Sequence, residues 1–458
     1  MRNLAMNVGS FRARSCQGVD RRTFVRAAMA APFVGTLPGL ADALARAAER
    51  SHAKSILLLW LGGGVSHLDT FDPKPKATAD YRGPLASIET KIPGVRFSEL
   101  LPRMAKRSDR FSLVRSNVNF NGGHRPAGSI ALTGSVASDG GEDAGGAPGN
   151  YPPNFGSIAA RALPAGQLPG FISLARGPVG DGVGPIFGYG GGTWGKAHDP
   201  FRMNCDEHGA VSIPDLELLE GLTPARLADR ELLQSEITRV RRQSERRDIG
   251  NWDALSQQAF TLLTSGRSLE ALDLSQESQA TREAYGQTSF GQSCLLGRRL
   301  VEAGVPYVQV NWSQYVEVFY PFSDYGWDTH ADNFGLLAQW HCPLLDWVYS
   351  TLLDDLQDRG LLESTLLVAL TEFGRTPRIN SIGSRDHWHH CYFSIWAGGG
   401  IQPGRVVGES DPRGEHPATE PITPGMVGAT MLEQVGVTSQ VRAELKVLEG
   451  SRVIHELL

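Results

Sequence analysis

Short, nearly continuous apolar runs recur along this chain, separated by longer amphipathic stretches. The clearest run is Ser55 to Trp60 (Ser-Ile-Leu-Leu-Leu-Trp), which ends in Gly62-Gly63-Gly64. A run with no polar face predicts a strand buried in a parallel sheet that delivers a loop at its carboxyl end. Similar runs lie at Phe111 to Val114, Phe171 to Leu174, Tyr307 to Val310, Leu366 to Leu370 and Tyr392 to Trp396. Between them, Thr223 to Arg247, Trp252 to Leu263, Gly291 to Ala303 and Phe334 to Arg359 read as helices, with Thr223-Pro224 as cap and first turn of the longest. Strands alternating with helices predict an α/β fold, a mostly parallel central sheet covered on both faces. In such sheets ligands bind beyond the carboxyl ends of the strands. Thr133 to Pro153 and Pro178 to Gly195 are Gly-rich and read as loops; neither carries a phosphate-loop or dinucleotide fingerprint.

Length and charge narrow the class. The 458 residues suit one large α/β domain with excursions, and the 53 glycines suit many strand-to-loop turns. With 44 Lys+Arg against 49 Asp+Glu the formal charge is -5, which gives a nucleic-acid partner no electrostatic support. The N-terminus predicts an address. Arg21-Arg22-Thr23-Phe24 is a twin arginine followed by an aromatic, the Ala-rich stretch Ala27 to Leu40 follows, and Ala41-Asp42-Ala43 and Ala43-Leu44-Ala45 both offer small-x-small cleavage. Residues 1–45 therefore read as a twin-arginine signal and 46–458 as the folded domain, in the periplasm or secreted. No segment of the domain is long and apolar enough to predict a membrane span. Cys205, Cys294, Cys342 and Cys391 are scattered, without a Cys-x-x-Cys pair, so a zinc knuckle is excluded and one or two disulfides stay open.

The chemistry gathers in short segments beside the strand-like runs. Tyr325-Gly326-Trp327-Asp328-Thr329-His330 puts Asp328 and His330 two apart, on one side of an extended backbone. Thr371-Glu372-Phe373-Gly374-Arg375 places Glu372 just past a buried strand, where a carboxylate needs a partner: a metal, or Arg375 or Arg378. Arg385-Asp386-His387-Trp388-His389-His390 is dense in imidazole, with His387 and His389 on one face. Asp69, in Ser66-His67-Leu68-Asp69, is a candidate ligand after the first strand, and Asp72 before Pro73 is a turn residue. His124 and Arg125 suit anion binding, or belong to an ordinary loop that opens a helix at Pro126. Carboxylates and imidazoles together are the donor set of a divalent metal site: zinc, calcium, magnesium or manganese.

These segments together resemble the secreted bacterial proteins of domain of unknown function 1501. The resemblance is carried by Gly63-Gly64-Val65-Ser66-His67-Leu68-Asp69-Thr70-Phe71-Asp72-Pro73-Lys74-Pro75, Gly326-Trp327-Asp328-Thr329-His330, Glu372-Phe373-Gly374-Arg375-Thr376-Pro377, Gly383-Ser384-Arg385-Asp386-His387-Trp388 and Asp199-Pro200-Phe201. It implies membership of the alkaline phosphatase and sulfatase superfamily: an α/β/α sandwich with one or two metals at the sheet's carboxyl edge. By that likeness Asp328, His330 and His387 hold one metal, Glu372 and Asp69 contribute to a second or shared one, His124 supplies nucleophile or acid chemistry, and Arg125 and Arg375 neutralise oxyanion charge. Phe373 stands where the superfamily has a histidine ligand. His124 and Gly128 stand where sulfatases have their nucleophile and arginine, which disfavours a formylglycine sulfatase. Two readings follow. One is an exported metal-dependent hydrolase of phosphate or sulfate esters, with sulfated or phosphorylated glycans as a substrate class. The other is a non-catalytic, metal-containing binding protein of the cell envelope that recognises anionic polymers.

Overall fold

The computed structural model describes residues 53–136, 151–164, 166, 168–175, 187–213, 270–312 and 326–458. The signal segment and the helices expected at Thr223 to Arg247 and Trp252 to Leu263 lie outside the described residues, as do most of the first Gly-rich loop and half of the second.

All six apolar runs become strands of one nine-stranded sheet. They are β1 (Ser55–Trp60), β4 (Ser112–Asn117), β5 (Phe171–Ala175), β8 (Tyr307–Asn311), β9 (Thr365–Leu370) and β12 (Tyr392–Ala397). Shorter strands complete it: β6 (Phe201–Cys205), β7 (Val211–Ser212) and β13 (Val406–Val407). The order is β13-β4-β12-β9-β1-β8-β5-β6-β7. β1 pairs in parallel with β8 and β9, and β5 in parallel with β8 and β6. β12 runs antiparallel between β9 and β4. Two ribbons stand apart, β2 (Ser87–Glu89) with β3 (Arg96–Ser98), and β10 (Gly374–Arg375) with β11 (His387–Trp388).

Alternation along β1 builds two cores. Leu57 and Leu59 join one cluster with helices α3 (Ser289–Glu302) and α4 (Cys342–Asp358); Ile56, Leu58 and Trp60 join the other, with α1 (His124–Thr133), α2 (Phe155–Ala162), α5 (Pro424–Gln434) and α6 (Ser439–Leu445). Successive side chains of a strand point to opposite faces, so a run apolar at every position serves both layers at once. The expected α/β/α sandwich with a mostly parallel sheet is thus what the chain forms. No helix among the described residues is long and apolar enough to cross a membrane. Cys205, Cys294, Cys342 and Cys391 are all buried, and the disulfides left open by the sequence do not form between them.

The expected single helix over Phe334 to Arg359 is broken by a π-helical stretch, Leu337–His341, ahead of α4. There the buried ring of His341 reaches back, its Nε2 2.7 Å from the Gly326 carbonyl. That contact anchors the start of the Gly326-to-His330 segment. Burial holds the His341 pKa down at about 4, against an ordinary value of 6.5, despite the two carbonyls that favour its charge. The folded pKa lies below the unfolded one, so the unfolded chain takes up the proton first as the pH drops. His341 therefore contributes its full stability above about pH 6.5 and loses it as the pH falls toward 4, by about 3 kcal/mol at most. Urea unfolding of wild type and His341→Gln at pH 7.5 and 4.5 checks this. The stability gap between the two proteins shrinks at the lower pH; a gap that stays constant refutes the assignment.

Candidate functional site

Four loops leave the same edge of the sheet and meet. β1 ends in the glycine turn at Gly62–Gly64, and β9 ends in Thr371 and Glu372. β4 leads through Asn119 to Gly123, which caps α1 and makes His124 its first residue. β12 enters from that edge because it is antiparallel, so His387, just before it, lies there too. The segment Trp327 to His330 joins them by hydrogen bonds to the β1 turn, from Trp327 N to the Gly62 carbonyl at 3.1 Å.

Asp328 is the centre. It is 4 % exposed. Its Oδ1 lies 2.9 Å from His330 Nε2 and 3.0 Å from His387 Nε2, and its Oδ2 lies 2.9 Å from His124 Nε2. The two nitrogens of His330 and His387 are themselves 2.9 Å apart. Each ring is oriented from behind. His387 Nδ1 donates to the Gly122 carbonyl at 2.8 Å, His330 Nδ1 faces Asp386 Oδ1 at 3.2 Å, and His124 Nδ1 faces Glu372 Oε1 at 2.9 Å. A neutral imidazole has one N–H, so a ring that donates through Nδ1 presents a lone pair at Nε2. His387, donating through Nδ1, presents such a lone pair to Asp328, and the Nε2 atoms of His124 and His330 crowd the same carboxylate, which can only accept. The donor atoms of His124, Asp328 and His387 all lie within 4.8 Å of one another.

The electrostatics follow from that crowding. Burial opposes ionisation of Asp328, but the hydrogen bonds from His124, His330 and His387 outweigh it and hold the carboxyl well below its usual range. Burial likewise opposes charge on His124, and its contacts with Asp328 and Glu372 reverse the balance, lifting it to about 9. The His330 pKa is raised, chiefly by Asp328. That of His387 is lowered, chiefly by burial. His124 Nε2 is nonetheless without a hydrogen bond of acceptable geometry, although Asp328 Oδ2 is 2.9 Å away. An orphaned buried ring nitrogen aimed at a carboxylate fits a cation between them better than a direct hydrogen bond.

Glu372 is neither of the ion pairs considered for it. Its Oε1 accepts from Gly63 N at 2.8 Å as well as facing His124, while Arg378 reaches toward Asp80 at the surface. The helical turn that follows is capped by Asp332, which accepts from Gly335 N. Phe373 is buried beneath the site, its ring 5.1 Å from that of His124 and 4.5 Å from that of His387.

Two assignments from the sequence need correction. Asp69 lies outside the cluster. Its two oxygens are held by Arg385, at 2.7 Å from Nε and 3.1 Å from Nη2, and both side chains are fully buried. Ser66 Oγ and Asn333 Nδ2 also bond Asp69 Oδ2. A carboxylate so committed has its charge compensated by a guanidinium and needs no metal. Arg375 does not face a substrate. It is fully buried, donates to the carbonyls of Gly63, Gly64 and Trp327, and pairs with Asp328 Oδ1 at 2.5 Å. It is a clamp between the β1 turn and the Asp328 segment. Arg125 follows His124 in the first turn of α1 and is half-buried. His67 is buried with Nε2 2.8 Å from the Gly414 carbonyl, and burial lowers its pKa to about 4, so it is a structural histidine. Asp72 is buried too, paired with Lys74 and Arg115.

The residues the sequence did not single out are those that orient others: Asp386 behind His330, Gly122 behind His387, and Asn119, whose Nδ2 binds the carbonyls of Glu372 and Ala127. Gly64 belongs with them. Its φ is 89°, and a β-carbon there would lie 2.5 Å from the Phe373 ring.

A mostly parallel α/β/α sandwich with a buried carboxylate and three back-oriented imidazoles at its carboxyl edge defines a protein with the donor set of a divalent-metal centre. Residues 53–457 match the family described as "Protein of unknown function (DUF1501)", and the chain belongs to that family. No curated protein matches it. Among solved structures, Ps i-CgsB in complex with k-i-k-neocarrahexaose is similar at 9% identity and TM-score 0.38, over 87% of this chain and 74% of that one. The PsFucS1 sulfatase from Pseudoalteromonas sp. is similar at 11% identity and TM-score 0.35, over 88% and 72%. The phosphonate monoester hydrolase SpPMH from Silicibacter pomeroyi is similar at 13% and 0.34, over 83% and 73%. Likeness at these TM-scores carries no argument; the fold stands on the strand order above.

The Asp69–Arg385 correction has a measurable consequence. Removing one partner of a buried pair leaves an uncompensated charge and costs about 3–5 kcal/mol. Arg385→Met is expected to lower the urea midpoint accordingly, and the double variant Asp69→Asn/Arg385→Met to recover a large part of the loss. A double variant no better than Arg385→Met overturns the pairing.

Proposed function

We propose that this protein is an exported, divalent-metal-dependent hydrolase of phosphate or sulfate esters, of the alkaline phosphatase and sulfatase type. The observation that carries the reading is the convergence of Asp328 Oδ1, His330 Nε2 and His387 Nε2 within 3.0 Å of one another. Those three atoms would hold the ion, with His124 Nε2 on the opposite carboxylate oxygen as a further donor or as the proton-handling group. Asp386, Gly122 and Glu372 supply the outer partners that fix a ligand histidine's tautomer. When bound, the ion would supply Lewis-acid charge to an ester oxygen.

The chain's own residues divide the remaining work. Glu372 holds His124 Nδ1, so Nε2 is the atom that takes up or releases a proton at the ester. Arg375 neutralises part of the Asp328 charge and keeps the Gly63–Gly64 turn closed against it. Arg125, beside His124, is the candidate for neutralising oxyanion charge. The twin-arginine segment supports export to the periplasm or beyond, where sulfated or phosphorylated glycans are the accessible substrate class.

A second reading has its own observation. Hydroxyls near the cluster are already committed: Ser129 Oγ donates to the Arg125 carbonyl at 2.8 Å and accepts from Gly188 N, and Thr371 Oγ1 donates toward Glu372. A site whose hydroxyls are tied down favours attack by water, or no chemistry at all. In the latter case the protein is a metal-containing binder of anionic polymers at the cell envelope.

Metal content of the purified, untagged mature chain, measured beside His330→Ala with aryl phosphate and aryl sulfate turnover on the same samples, separates the readings. The hydrolase is expected to hold metal, to lose one equivalent of it in His330→Ala, and to lose turnover with it. Metal without turnover supports the binder. A chain without metal, unchanged by the substitution, refutes both. Within the hydrolase reading, Asp386→Asn is expected to weaken metal binding about 10–100-fold, read by competition with a chelating dye, because it removes the partner that orients His330. Unchanged affinity removes Asp386 from the site.

A further inference from the structure

A second group of imidazoles lies beside the first and is not used by it. His389 and His390 follow β11, and His416 comes from the loop after β13. The ring centroids of His389 and His390 are 3.9 Å apart, and those of His390 and His416 are 5.3 Å apart. Trp388 packs on His390 at 4.7 Å and on His416 at 5.8 Å. Their backbones are fixed. Asn119 N donates to the His389 carbonyl at 2.8 Å, and His416 N donates to Asp411 Oδ2 at 2.9 Å. Their rings are not: none of these three imidazoles makes a hydrogen bond within the described residues, whereas His67, His124, His330, His341 and His387 all do.

We propose that His390 and His416, with His389 stacked against His390, form a second metal site selective for zinc-type transition ions. Two imidazoles on one tetrahedral zinc ion, with Zn–N near 2.0 Å, place their ring centroids about 5 Å apart. The His390–His416 pair already has that separation. Nitrogen dominates the donor set, since Glu415 Oε1 accepts from Tyr81 and both Asp411 oxygens accept backbone N–H groups. An imidazole set takes zinc, nickel or copper and leaves magnesium and calcium in water. The indole of Trp388, pinned by its bond to the Glu415 carbonyl at 2.7 Å, walls one side.

The position links the two sites. His389 Nδ1 packs over Gly122, where a β-carbon would come within 3.2 Å of it, and the Gly122 carbonyl holds His387. One glycine peptide therefore lies between the imidazoles of the two groups. An ion on His390 and His416 fixes the strand segment from which His387 also projects.

The test is equilibrium dialysis of the untagged full-length mature protein against Zn2+ at pH 7.5, with Mg2+ present in excess. Wild type is expected to bind two equivalents, His416→Gln and His390→Ala/His416→Ala one, and His330→Ala one. His416 is exposed, so His416→Gln keeps the fold; circular dichroism confirms it for the double variant. A double variant that binds as many equivalents as wild type overturns the second site, as does a wild type that binds none. If the double variant loses one equivalent while His330→Ala loses none, the second site stands and the first fails.

Discussion

A single buried carboxylate organises the carboxyl edge of this sheet. Asp328 is enclosed by one guanidinium and three imidazoles that arrive on separate segments of the chain. A lone charge in that environment costs several kcal/mol, so every neighbour is constrained by the need to compensate it. Arg375 supplies one positive charge but also bonds three backbone carbonyls, so its compensation is shared. Glu372 adds a second carboxylate behind His124. Two carboxylates against one guanidinium leave a deficit of positive charge at the point where the ring nitrogens meet. In the chain alone the deficit is met by a proton, which is why His124 is held charged up to about pH 9. A divalent cation meets the same deficit without asking acceptor atoms to face one another. The preference for a metal thus arises from the charge count and the hydrogen-bond directions together.

The molecule keeps its structural charges separate from this group. Asp69 with Arg385, and Asp72 with Lys74 and Arg115, are buried pairs on the loop that follows β1. They close that loop against the segment after β9 and against β4, and Ser66, Asn333 and Ser410 complete the hydrogen bonding of the two carboxylates. Both sets look alike in sequence, since each is an acid close to a strand end. What distinguishes them is what faces the acid besides its guanidinium, three imidazoles at Asp328 but only Ser66 and Asn333 at Asp69, and that is a property of the packed fold. The residues opposite Asp328 are imidazoles, which adjust by one proton or one ion, whereas those opposite Asp69 are fixed cations and amides.

How much was legible follows from this difference. The sheet was legible because a strand buried on both faces leaves a local mark, an apolar run with a glycine turn after it. Ser55 to Trp60 and Leu366 to Leu370 show that mark plainly. Asp328, His330, His387, His124 and Glu372 were legible as a set because each sits just beyond such a run, where the topology gathers loops. Arg375 and Asp69 were misread because spacing along the chain says nothing about which acid an arginine reaches from 47 or 316 residues away. The orienting partners were missed for a related reason. A carbonyl such as that of Gly122 has no residue-type mark at all, and Asn119 acts through two backbone groups rather than through its neighbours in sequence. The π-helical stretch at Leu337–His341 was equally silent, since its apolar spacing continues the helix on both sides.

The antiparallel strand β12 explains why the histidines are divided as they are. A wholly parallel sheet would send the segment before β12 to the amino edge, away from Asp328. Reversing one strand brings its entry loop to the carboxyl edge, and with it a run of histidines that starts inside the centre and ends outside. His387 faces Asp328 while His389 and His390 pass to the far side of the Gly122 peptide. Because β11 ends at Trp388, the chain beyond it carries His389 away from the face of His387, and one short sequence reaches two environments. The inner imidazole is oriented from behind by a carbonyl, and the outer ones have ring nitrogens that no described residue satisfies. A nitrogen-dominated group beside a mixed oxygen–nitrogen group differs from it in metal preference as a matter of donor chemistry. The geometry of one reversed strand therefore carries both the closure of the first centre and the exposure of the second.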